Sequence, residues 1–260
     1  MKYVTADRGD RIGMNIYARL VTLNFCNNNS LTHTYVHTPL PDPFEDLFNL
    51  GMGYRKIDEV DDKIKVGINP VQTNIVPLVL RKQLPKFSAE FRKDIIRRYN
   101  PTHTYPKNKK KINICIHMRR GDTVYPSGRP KFRWRMATDD FLIEVLRRIN
   151  KFIKKPVSIN IHSDSVIDME KFETYDLEIN TKFDDTGPRG GRSPEQAMQD
   201  MIACDILFRT GISAFSGVCA FYNTNLVISA LPVGCEGMYV MDNVYGLGEC
   251  NERLWEFNRT

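Results

Sequence analysis

Apolar and polar residues alternate from Lys2 to Ala6, as a half-buried strand requires. After the polar turn DRGDRIG, an amphipathic run from Met14 to Phe25 ends at NNNS. The opening therefore predicts a strand, a charged turn and a helix. Leu31 to His37 reads as a second strand, after which prolines at 39, 41, 43, 70, 77 and 85 and the acidic stretch DEVDDK interrupt any regular pattern. Helical spacing returns at Phe87, Phe91, Ile95 and Ile96, with Ser88 placed to cap a helix through Tyr99. The segment NPTHTYPKNKKK breaks that pattern and sets the expected domain boundary, giving domains 1–105 and 106–260.

Beyond the boundary the alternation is more regular. Ile112 to Met118 (INICIHM) is the near-continuous β run of a buried parallel strand. Thr138 is the predicted cap of a helix that carries Phe141, Leu142, Val145, Leu146, Ile149 and Phe152 on one face. Val157 to Ile161 is the next strand, and Ser193-Pro194-Glu195 supplies an N-cap with proline at the first position of a helix to about Ala203. Ile206 to Arg209 reads as a strand, Ala214 to Tyr222 as a short helix and Leu226 to Ala230 as another strand. Strands alternating with helices imply an α/β fold of right-handed βαβ units, with a parallel sheet covered on both faces.

Composition narrows the class. The chain has 260 residues, 42% of them hydrophobic and 26% charged, which fits a globular protein with a sizeable core and excludes wholesale disorder. Lys and Arg number 37 against 31 Asp and Glu, a net charge of +6, so the surface favours anionic partners. The six cysteines form no C-x-x-C pair and no zinc-binding spacing, so no metal site is expected; Cys115 and Cys204 lie in apolar segments and read as core thiols. The first residues lack a leader's apolar core, and no stretch approaches the ~20 apolar residues of a membrane span. A soluble, cytoplasmic chain with free thiols is the expectation, on which the sequons at Asn28 and Asn258 are chance matches.

In open α/β sheets ligands bind beyond the carboxyl ends of the strands. Three polar clusters follow predicted strands: His117-Met118-Arg119-Arg120-Gly121-Asp122, His162-Ser163-Asp164, and Thr210 to Gly217 (TGISAFSG). Together they offer guanidinium, imidazole, carboxylate and hydroxyl groups and a glycine-flanked helix start. That set suits a diphosphate, because Arg is a planar, always-charged fork and a helix N-terminus presents N–H groups in a positive field.

The same residues carry a resemblance. HMRRGD at the end of a strand is similar to the H-x-R-[RIH] motif of the α-1,2-, α-1,6- and protein O-fucosyltransferase superfamily. DRGDRIGMNIYARLVTLNF resembles its first strand, Gly-rich turn and helix, and CDILFRTGISAFSGVCAFY resembles its A-D-x-x-[IV]-x-x-x-S-S-F-[ST] segment. The resemblance implies a GT-B type glycosyltransferase, two Rossmann-like domains with parallel sheets facing across a cleft, inverting and metal-independent. The acceptor would lie toward the first domain and the nucleotide sugar in the second. A metal-free reaction agrees with the absence of any D-x-D triplet from the sequence. Arg119 would bind the β-phosphate and stabilise the departing charge, His117 would hold the nucleoside, and Ser213, Phe215 and Ser216 would close on the diphosphate. Asp164 would lie near the ribose. The acceptor's base would be Asp7 or Asp10 in the N-terminal turn, with Asp122 third.

One departure affects the donor. Where GDP-fucose enzymes of this superfamily carry a guanine-binding Asp, this chain has Ala197, and Asp200 lies one turn along. Either Asp200 takes that role or the donor is a UDP-sugar such as UDP-xylose. No cofactor is implied beyond the nucleotide-sugar co-substrate; the partners would be that donor and an oligosaccharide or glycoprotein acceptor. A non-catalytic nucleotide- or sugar-binding module and a nucleic-acid binder are the other readings. The basic runs KNKKK and RPKFRWR bear on the last, although Trp134 in the second run suits a sugar ring beside the cleft. RGGR at 189–192 reads as a surface loop or as a mobile anion-binding loop beside the donor, and the Arg-Gly-Asp triplets at 8–10 and 120–122 fall inside the candidate turns.

Overall fold

The structure is a computed structural model that describes residues 1–6, 11–61, 64–68, 87–103, 110–120, 138–164, 167–168, 179–183, 193–209, 213–229, 244–246, 250–256 and 258. These residues fall into two compact units, one up to Thr102 and one from His103 onward.

The first unit is built on three parallel strands, β1 (Lys2–Thr5), β2 (His33–Tyr35) and β3 (Val66–Ile68), in the order β2-β1-β3. Helix α1 (Ile12–Asn28) makes the crossover from β1 to β2. The sequence pattern suggests one apolar stripe on this helix, but Asn15 through Asn24 are buried without a break, so it is enclosed on nearly every side. Its polar residues are satisfied internally. Arg19 donates from Nε to the carbonyl of Thr38 at 2.8 Å and from its two terminal nitrogens to Pro39 and Asn15 carbonyls at 3.0 Å each. Thr22 Oγ1 donates to the carbonyl of Ala18 at 2.8 Å.

The expected strand from Leu31 to His37 is shorter at both ends. Asn29 caps α1 and its carbonyl takes the N–H groups of Thr32 and His33, so the ladder starts only at His33. After Tyr35 the chain keeps one isolated parallel bridge, His37 to Lys56. The short α2 (Phe44–Phe48) follows, with Asn49 in the left-handed region at φ 45° closing it, and then a 3-10 turn, Ile57–Glu59. In α3 (Ala89–Arg98) the Ser88 hydroxyl accepts the Phe91 N–H at 3.1 Å, the cap the sequence calls for.

The second unit holds six parallel strands: β4 (Ile112–Met118), β5 (Val157–Ser163), β6 (Ile179–Phe183), β7 (Ile206–Arg209), β8 (Leu226–Ser229) and β9 (Val244–Gly246). Four helices complete it: α4 (Asp139–Phe152), α5 (Pro194–Ala203), α6 (Ala214–Tyr222) and α7 (Cys250–Glu256). The sheet runs β6-β5-β4-β7-β8-β9, so the chain winds outward from β4 on one side and then from β7 on the other. That is the doubly wound order, and its switch point lies between β4 and β7.

Alternation within the strands sorts the two faces. Ile112, Ile114, Ile116, Ile159, Ile161, Ile206, Phe208, Leu226 and Ile228 form one apolar core with Leu142, Val145, Leu146 and Ile149 of α4 and Leu254 of α7. The other face carries Asn113, Cys115, His117, Asn160, His162 and Arg209, all buried, and Cys115 Sγ donates to the Asp200 carbonyl of α5 at 3.6 Å. Every residue of β4 is buried, which explains its near-continuous apolar run, yet its polar members all lie on the α5 side.

Several contacts fix the ends of these elements. Asp205 Oδ2 accepts from the Asn113 backbone N–H at 2.9 Å and from its side-chain amide at 3.0 Å. Asn223, beyond α6, donates to the Met201 carbonyl at 3.0 Å and the Cys204 carbonyl at 3.2 Å. Cys115 and Cys204 are buried free thiols, in keeping with their apolar settings. Asn258 donates to the Phe152 carbonyl and accepts the Lys154 N–H, so the amide of that sequon ties down the end of α4. Among the described residues, no helix is long and apolar enough to cross a membrane.

Candidate ligand site at the strand ends of the second unit

The parallel register brings together residues that are far apart in sequence. His117 pairs with His162 across β4 and β5 and with Arg209 across β4 and β7, and Arg209 pairs with Ser229 across β7 and β8. Register partners in a parallel sheet project to the same side. A polar row, His162, His117, Arg209 and Ser229, therefore crosses four strands at their carboxyl ends, centred on the switch point. All four are buried; Arg209 is the largest side chain with no exposed surface among the described residues.

Helix α6 starts five residues after Arg209 and places its first turn beside this row. Ser213 and Ser216 are buried there, and the Phe215 ring lies 5.7 Å from the His117 ring, tilted by 30°. Arg119, half-buried, follows β4 directly. His117 is enclosed, and burial drives its pKa from 6.5 down to about 3; Asp164 opposes that shift, while the charges of His162, Arg119 and Arg209 reinforce it. At neutral pH the row thus presents an uncharged imidazole next to guanidinium groups and a helix N-terminus. Such a set can hold an anion beside a ring system.

The remaining candidate residues occupy distinct settings. Asp164 Oδ1 accepts the backbone N–H of Arg120 at 2.6 Å, so it bridges the turns that follow β5 and β4. The Arg120 guanidinium pairs with Asp139 at the start of α4. Asp200 has no exposed surface; its Oδ2 lies 3.7 Å from His162 Nε2 and its Oδ1 3.9 Å from His103 Nε2. Ala197, one turn earlier on α5, is also fully buried. Asp7, Asp10, Asp122, Trp134 and the RGGR segment lie outside the described residues. The described residues contain no group of three or more His, Cys, Asp or Glu side chains arranged to hold a metal.

The sequence singles out His117 and Arg119, whereas Arg209 passes as the last residue of a short strand. Its parity with Leu207 puts it on the face opposite Phe208, and its place at a strand end beside the expected helix is a usable signal. The pairing that sets it against His117 is not local and leaves no trace in either segment.

No protein-family model and no curated protein matches the sequence. Among solved structures, the chain is similar to POFUT1 in complex with GDP, at 12% identity and a TM-score of 0.49 over 88% of this chain and 98% of that one. It is also similar to POFUT1 in complex with GDP-fucose, at 13% identity and a TM-score of 0.49 over 88% of this chain and 97% of that one.

Proposed function

We propose that the chain is an inverting, metal-independent glycosyltransferase that moves a sugar from a nucleoside-diphosphate donor to a glycan hydroxyl. Its two Rossmann-like domains would be residues 1–105 and 106–260. The observation that carries this reading is the row His162, His117 and Arg209 at the switch point of a doubly wound sheet, with Arg119 just beyond β4. A ligand at that place meets cations, a neutral imidazole and a helix start, which are the groups a nucleoside diphosphate needs.

In the reaction the acceptor hydroxyl attacks the anomeric carbon from the face opposite the diphosphate, and a carboxylate, Asp7 or Asp10, takes its proton. The bond from that carbon to the β-phosphate oxygen breaks, and the electron pair leaves with the nucleoside diphosphate. Arg119 neutralises the charge that accumulates there, while Ser213, Phe215, Ser216 and the α6 N-terminus hold the diphosphate and His117 the nucleoside. Asp164 supports the turn that carries Arg120, and through it the turn beside Arg119.

The resemblance in HMRRGD favours GDP-fucose as donor. A UDP-sugar is the second reading, and the setting of Asp200 supports it: its carboxylate faces His162 and His103 inside the unit. Calorimetry with GDP, UDP and a single-stranded oligonucleotide, followed by transfer assays with GDP-fucose and UDP-xylose on a glycan panel, tests the proposal. Diphosphate binding with sugar transfer is the expected result. Diphosphate binding without transfer from any donor leaves a binding module, and oligonucleotide binding alone overturns the reading.

A further inference from the structure

We propose that Arg209 is a second phosphate ligand, holding the α-phosphate of the donor while Arg119 holds the β-phosphate, so that the substrate class is a nucleoside diphosphate read at both phosphates. The inference rests on the nucleotide-site reading above and adds a residue to it. Its ground is the ladder: β4 and β7 flank the switch point, and each ends in a cation, Arg119 just past β4 and Arg209 at the last position of β7. Arg209 is the register partner of His117, the residue assigned to the nucleoside, whereas Arg119 lies two residues farther along the chain. The order nucleoside, α-phosphate, β-phosphate then maps onto His117, Arg209 and Arg119.

Two further facts agree with this order. A guanidinium with no exposed surface is costly to keep in a protein interior, and one at the carboxyl end of a strand stands where doubly wound sheets bind ligands. The α6 helix begins five residues later, so the same phosphate meets both the fork of Arg209 and the first turn of a nine-residue helix. Arg209 already has interactions within the chain, and a phosphate would take over part of them by exchange.

The test is an affinity ladder on the whole chain: guanosine, GMP and GDP, and uridine, UMP and UDP, by calorimetry. In Arg209→Gln the gain from nucleoside to monophosphate should fall about tenfold or more, while the gain from monophosphate to diphosphate stays as in the wild type. Arg119→Ala should show the opposite pattern. Arg209→Lys keeps the charge without the fork and should lose part of the first gain, which serves if the Gln variant does not fold. Should neither variant fold, hydrogen exchange on the wild type decides, because monophosphate but not nucleoside should slow exchange at Ile206–Arg209. An unchanged monophosphate gain in a folded Arg209 variant, or equal exchange with both ligands, overturns this inference alone. A wild-type chain that binds no member of either series overturns the nucleotide-site reading instead.

Discussion

His117 and Arg209 face each other across the parallel ladder of β4 and β7, an imidazole and a guanidinium that are 92 positions apart in the chain and neighbours at the switch point. The ring is buried, and burial together with the neighbouring positive charges keeps it neutral, with a pKa of about 3. An unfolded chain binds a proton at this position from about pH 6.5 downward, and the folded one does not. The unfolded state therefore gains protons as pH falls through that window. Stability should drop between about pH 6.5 and pH 3 and be indifferent to this group above it. Urea unfolding at pH 7 and pH 4.5 should show a loss in the wild type exceeding that in His117→Gln by about 2 kcal/mol. Equal losses would remove the buried neutral ring from the account.

Arg119→Ala tests the leaving-group role. If Arg119 neutralises charge on the departing phosphate, transfer should fall by about 100-fold or more, with free nucleoside binding changed less than threefold. Steady-state transfer and nucleoside calorimetry on the same preparation read both quantities. A variant that transfers at the wild-type rate places Arg119 outside the reaction.

Much of the second unit is legible in the sequence because its signals are local. Thr138 and Ser193 accept the N–H groups of Phe141 and Gln196, so the starts of α4 and α5 are written in their caps. The unbroken INICIHM run marks β4 at both ends. The strands without such a signal are β3, β6 and β9, of three, five and three residues, with a glycine in two of them and mixed polar residues in the third. Their pairing comes from neighbours in the sheet rather than from an apolar period of their own. The site divides in the same way. His117 and Arg119 are visible as polar residues after a strand, whereas the importance of Arg209 and the enclosure of Asp200 depend on register and helix packing between distant segments.

Asp205 closes the amino-terminal ends of β4 and β7 by accepting both the backbone and side-chain N–H groups of Asn113. Asn113 is 3% exposed, and although its side-chain amide also donates to the Lys111 carbonyl at 3.2 Å, removing the carboxylate takes the acceptor from a buried backbone N–H that water cannot easily reach. Asp205→Ala should cost about 2–3 kcal/mol in chemical denaturation, and Asp205→Asn, which keeps one acceptor oxygen, should recover about half. Because these groups lie at the end of the strands opposite the polar row proposed to bind the nucleotide, nucleotide affinity in folded Asp205→Ala should match the wild type. A large affinity change would mean that the two ends of the sheet are coupled.

The first unit offers a sharper steric test at Gly51. A methyl group there would run into Cδ2 of His37 and lie 2.8 Å from its Nε2, well inside contact distance. The ring has little room to yield, since it has no exposed surface and is held at both nitrogens, by Tyr35 Oη at 3.0 Å and by Glu45 Oε1 at 2.8 Å. Glu45 also accepts the Leu40 N–H at 2.7 Å, so turning the ring would disturb the connection from β2 to α2 as well. Gly51→Ala should therefore destabilise the chain by about 2–3 kcal/mol, more than the few tenths expected at an open turn. In a His37→Ala background the clash disappears and the same substitution should cost less than about 1 kcal/mol. Equal costs in the two backgrounds would show that the ring is not what reserves this position for glycine.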